Sequence, residues 1–130
     1  MIILRFAGRV FRALARLRAD FSRIAGLCHG LARMQPVGTR TLRIGGDEFA
    51  AILPDIGRRE KAKTVARKII GAVAAPFRPG SQKQSVGIGS SIGIALYRAD
   101  GPDTDALVSA ADAAMYRARQ AGNSFRCCAA

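Results

Sequence analysis

The stretch RIGGDEFAAILPD, residues 43–55, decides how this chain folds. Thr41 to Ile44 and Glu48 to Leu53 are two short apolar segments separated by the pair Gly45-Gly46. Paired glycines between two strands signal a hairpin, because tight turns require positive φ. Pro54-Asp55 ends the second strand. The same residues suggest chemistry. Two positions without side chains let backbone N–H groups come close to an anion. The carboxylates Asp47 and Glu48 follow at once. Amides beside carboxylates suit a metal-bound nucleotide, since Mg²⁺ takes oxygen ligands and bridges to phosphate. On these residues alone, a plain Gly-Gly hairpin with solvated acids at its tip is the favoured reading, because short motifs match often by chance.

Arg58 to Ala75 carries helical periodicity, with Val65, Ile69 and Val73 on one face and Lys61, Lys63, Arg67 and Lys68 on much of the rest. Pro76 stops it. Ser85 to Tyr97 contains strand material, most clearly Ser91 to Tyr97. Gly101-Pro102-Asp103 is a loop, and Asp103 or Thr104 can cap a helix that runs to about Ala121. Leu107, Ala111, Ala114, Met115 and Ala118 form its inward face, and Gly122 is a C-terminal stop. The order β-turn-β-α-β-α defines an α/β domain whose first elements are unclear.

The segment before the hairpin differs in composition. Residues 1–43 hold nine Arg, no Lys and Asp20 as their one acid, so they carry +8 of the +12 net charge of the 130-residue chain. From Met1 to about Leu17 the spacing predicts an amphipathic helix, with Ile3, Phe6, Val10, Leu14 and Leu17 on one face and Arg5, Arg9, Arg12 and Arg16 on another. The leading reading of this segment is a divergent or mistranslated stretch, from an upstream frameshift or wrong start, since nine Arg without Lys is what GC-rich DNA read out of frame tends to encode. Of the two readings of a genuine helix, packing of its apolar stripe onto the sheet is preferred to a position at a membrane surface. A basic balance suits anionic partners, yet no nucleic-acid motif accompanies it, so no nucleic-acid partner is expected. The longest uncharged apolar stretch, Ile69 to Phe77, is too short to span a bilayer. No leader is evident, because Arg5 and Arg9 interrupt the apolar run. Cys28, Cys127 and Cys128 have no disulfide or zinc spacing and read as reduced thiols, so a cytoplasmic location is expected.

Residues 43–55 together with SIGIALYRADGPDTDALVSAADAAMYRARQAG, residues 91–122, resemble the signature hairpin and the last strand, loop and helix of the GGDEF family, the diguanylate cyclase domains. The resemblance covers about residues 41–126, leaving 1–40 as a basic divergent segment and 127–130 as a tail. It implies an α/β (α+β) fold similar to the nucleotide cyclases and the polymerase palm, a mainly antiparallel sheet flanked by helices. It also implies an activity: condensation of two GTP into cyclic di-GMP with release of pyrophosphate, using Mg²⁺ or Mn²⁺, in a homodimer whose protomers each hold one GTP. By the same resemblance Gly45 and Gly46 lie against the nucleotide, and Glu48 binds metal. Asp47 binds metal or activates the 3′-hydroxyl, and Arg119 stands where the family has a phosphate-binding Lys.

The departures qualify that implication. The family's central strand ends in an Asp-x-Asp-x-Phe-Lys-like segment whose first Asp is a metal ligand, and residues 1–42 contain no such segment. Where the family has Gly-Arg-Asn after its last helix, this chain has Gly122-Asn123-Ser124. Pro36 and Thr39 occupy the positions of an inhibitory Arg-x-x-Asp. The expectation is a GGDEF-like domain, truncated or divergent at its N-terminal side, with impaired or absent cyclase activity and an incomplete sheet. The alternative is a catalytically inactive regulatory or interaction module derived from such a domain.

Overall fold

Alternation of side chains along the strand Glu48–Leu53 organises the molecule. Phe49, Ala51 and Leu53 enter one core and Ala50 enters another, so the sheet is covered on both faces. In the computed structural model, the structure describes residues 2–8, 40–45, 48–76, 89–122 and 124–128. These form β1 (Ile2–Gly8), β2 (Arg40–Gly45), β3 (Glu48–Leu53), α1 (Arg59–Ala74), β4 (Ser90–Leu96), α2 (Thr104–Ala121) and β5 (Phe125–Cys127). The strand order is β2-β3-β1-β4-β5. The pairs β2–β3, β3–β1 and β1–β4 are antiparallel, and β4–β5 is parallel.

Helix α1 buries Ala62, Val65, Ala66 and Ile69, the i, i+3, i+4, i+7 face of an amphipathic helix, against Phe49, Ala51, Leu53, Ile92 and Ile94. Helix α2 lays Leu107 and Ala111 against Ala50 and Ala95 on the other face. Asp103 caps it by accepting a hydrogen bond from the Ala106 amide at 2.8 Å. At its far end Gly122 takes φ +70 and its N–H donates to the Arg119 carbonyl. Contact between α2 and β4 is intimate at Gly93, where an added Cβ would stand 1.9 Å from the Ala111 carbonyl oxygen. Among the described residues no helix is long and apolar enough to cross a membrane.

The first element corrects the helix expected over Met1 to Leu17. Ile2–Gly8 is a strand in the middle of the sheet, with Ile3 opposite both Ile52 and Ala95. The apolar residues at 3 and 6 fit a helical period, but Ile2-Ile3-Leu4 is equally the continuous apolar run of a strand with neighbours on both sides. Local spacing cannot separate the two, and pairing with β3 and β4 decides it. The remainder of that expected helix, residues 9–17, lies outside the described residues, as do Pro36 and Thr39. The sheet therefore does not lack a central strand. β5 was not anticipated: three residues after a helix stop leave almost no periodicity to read.

Candidate nucleotide site at the hairpin end of the sheet

Strand directions bring the hairpin and the end of α2 to one edge of the molecule. The turn between β2 and β3 lies at the start of β3, where Gly45 pairs with Glu48. Because β1 runs antiparallel to β3 and β4 antiparallel to β1, Gly8 and Ser90 meet at the same end. β5 runs parallel to β4, so α2, which connects them, returns to that end and delivers Arg119 in its last turn. A cation there also complements the negative end of the helix dipole.

Gly45 and Glu48 thus frame the turn, with a register irregularity between Arg43 and Gly45 that bends β2 next to it. Gly46 and Asp47 lie outside the described residues. Glu48 is half-buried, and by strand alternation it shares a face with Ala50, the face that α2 covers. Arg119 is exposed beside the buried Ala118. Gly45, Glu48 and Arg119 therefore belong to the same end of the sheet.

The central strand delivers something different. Phe6 stands opposite Phe49, so the next steps of the register bring Ala7 and Gly8 level with the hairpin turn. Arg5 stands opposite Ala50. No carboxylate is contributed from β1. Among the described residues no group of three or more His, Cys, Asp or Glu could hold a metal ion. Glu48 as the described acid at this end does not by itself make the oxygen-rich octahedron that Mg²⁺ demands.

A second polar cluster, at the opposite end, escaped sequence reasoning. Asp100, with a side chain only 1% exposed, accepts from Arg59 Nη2 at 2.8 Å and from the Leu96 amide at 2.7 Å. Arg59 also donates to the Cys128 carbonyl at 3.2 Å. Its hydrogen bond to Asp100 raises the guanidinium pKa further above its ordinary value, against the lowering effect of burial. The cluster ties the start of α1, the loop after β4 and the end of β5 together. Asp100-Gly101 carries a turn signal in the sequence, but nothing local marks Arg59 as its partner, 41 residues away.

The fold and the hairpin define a nucleotide-cyclase-like α/β domain. The model of the family described as "Diguanylate cyclase, GGDEF domain" matches residues 27–124, and the chain belongs to that family. It is 42% identical over 85 residues, 65% of its length, to the diguanylate cyclase TpbB of Pseudomonas aeruginosa, of which it spans 19%. It is 38% identical, again over 85 residues, to the bifunctional diguanylate cyclase/cyclic di-GMP phosphodiesterase MucR of the same species, of which it spans 12%. The chain thus corresponds to a small part of these curated relatives. Among solved structures, the isolated GGDEF domain of TpbB superposes with a TM-score of 0.82 at 31% identity, covering 98% of this chain and 76% of that one.

Proposed function

We propose that this chain is a GGDEF domain that contacts the phosphates of GTP through Gly45, Gly46 and Arg119 and turns over little or none of it. The observation that carries this reading is the make-up of β1. In the family the central strand supplies a metal-binding Asp beside the hairpin; here that strand offers Arg5, Phe6, Ala7 and Gly8. Phosphoryl transfer depends almost wholly on positioning and on metal charge, so a lost metal ligand removes most of what the protein contributes. Asp47 and Glu48 are the acids of the hairpin motif left to meet a divalent cation. The family uses divalent metals, binds GTP and makes cyclic di-GMP; in this chain the donors at hand do not suffice for the catalytic ion, and no step is assigned to it.

Two measurements test this. Purified chain incubated with GTP and Mg²⁺ or Mn²⁺ should form no cyclic di-GMP above background, and robust formation refutes the impaired reading. GTP should raise the thermal midpoint modestly, with the rise lost in Arg119→Gln. Indifference to GTP instead favours a regulatory module acting through its surfaces.

A further inference from the structure

The loop after β4 and the adjacent side of α2 enclose an open groove of about 810 Å³ that no part of the hairpin site touches. It lies beyond the C-terminal end of β4, whereas the hairpin lies at its N-terminal end. Seven residues at about 3.3 Å each put the two roughly 20 Å apart. The floor is built of small residues, among them Ala99, Gly101, Ala110 and Ala113. Its cationic lining residues are Arg98 and Arg117. Long helical side chains lean toward the helix N-terminus, which carries Arg117 back over Ala113 into the groove.

Arg98 is held in an unusual way. Its φ is +71, a conformation that glycine and asparagine adopt far more readily than arginine. The loop imposes it: the Arg98 amide donates to the Gly101 carbonyl at 2.9 Å, and the Asp100 amide to the Leu96 carbonyl at 2.8 Å. The guanidinium of Arg98 lies 5.7 Å from the centre of the Tyr97 ring, which positions the cation without neutralising it. Asp100, the one carboxylate among the described lining residues, is spent on Arg59 and the Leu96 amide and is almost fully buried. The groove is therefore electropositive, roomy, and built on a strained residue, the kind of position where strain marks a ligand clamp.

We propose that this groove binds a phosphate-bearing small molecule, held between Arg98 and Arg117. Guanidinium groups match phosphate oxygens in paired, charge-assisted hydrogen bonds. One compact polyanion satisfies both cations at a point. An extended acidic peptide would instead need a row of cations, and among the described residues the lining offers Arg98 and Arg117 with no lysine and no third arginine.

The test is calorimetric titration of the full chain with inorganic pyrophosphate, without divalent metal, at low and at raised NaCl. Saturable one-site binding that weakens with salt is expected. Arg98→Gly and Arg117→Gln should each weaken it by about tenfold or more, the loss of one charge-assisted hydrogen bond. Arg98→Gly suits the loop backbone better than the natural residue, so its thermal midpoint should equal or exceed the parent's, which separates a lost ligand contact from a lost fold. Absence of saturable binding overturns the proposal. So does binding that survives either substitution, or binding abolished by Arg119→Gln, which would put the phosphate at the hairpin end.

Discussion

Replacing Gly93 with alanine tests the packing of α2 on β4 directly. An alanine Cβ at this position would stand 1.9 Å from the Ala111 carbonyl oxygen, 2.5 Å from the Met115 amide nitrogen and 2.9 Å from the Met115 Cβ. Real Cβ atoms essentially never approach a heavy atom closer than 3.0 Å, so the helix and strand must part by more than 1 Å. Two of the three obstructing atoms are helix backbone, so no side-chain rotation relieves the clash. Parting the layers also loosens Leu107 and Ala111, both fully buried against the sheet. Overpacking of this kind costs about 1–3 kcal/mol where side chains can adapt; backbone obstruction places Gly93→Ala at roughly 3 kcal/mol or above. For a domain of this size that is a fall in Tm of about 10 °C or more. Circular dichroism at 222 nm read against temperature measures it. Gly71→Ala is the matched control. Gly71 sits on the exposed side of α1 with nothing within 4 Å of its added Cβ, so the same chemical change should stabilise by about 0.5–1 kcal/mol. A Gly93→Ala midpoint within about 2 °C of the parent's, well inside the shift expected per kcal/mol, would refute the packing argument.

Asp100→Ala should cost about 2–4 kcal/mol in urea unfolding, because it strands the Arg59 guanidinium and the Leu96 amide together; Asp100→Asn, which keeps an acceptor, should cost less. Burial pushes the Cys128 thiol pKa up from its ordinary value. A raised folded-state pKa means that stability is intact below the unfolded-state pKa of about 9 and declines as pH rises above it. The alkaline fall in stability should therefore be shallower in Cys128→Ala than in the parent, and equal slopes would exclude Cys128 as its source.

The hairpin was legible because its information is local. Gly45-Gly46 between two apolar strands needs no partner to be recognised, and β2 and β3 fall where the glycines place them. Helices α1 and α2 were legible for the same reason, with Ala62, Val65, Ala66 and Ile69 keeping the helical period and Asp103 in place as a cap. β1 was not. Ile3 and Phe6 satisfy two periods at once, and only neighbours on both sides turn the run into a strand. The Arg59–Asp100 pair and the groove beside Arg98 were invisible because each joins residues from separate elements.

By itself the sequence determined the family, the hairpin with its two acids, and the absence of an acidic central-strand motif, since each is a matter of which residues stand in a short window. Tertiary structure decided that Ile2–Gly8 fills the centre of the sheet, so that the absent acid is missing from a strand that is present. It also brought Arg119 to the end of the sheet that holds Glu48, through a helix that must run back between two parallel strands. The physical reason is common to both: a strand's place and a helix's direction are set by hydrogen bonds and buried contacts between distant segments, which no local window contains.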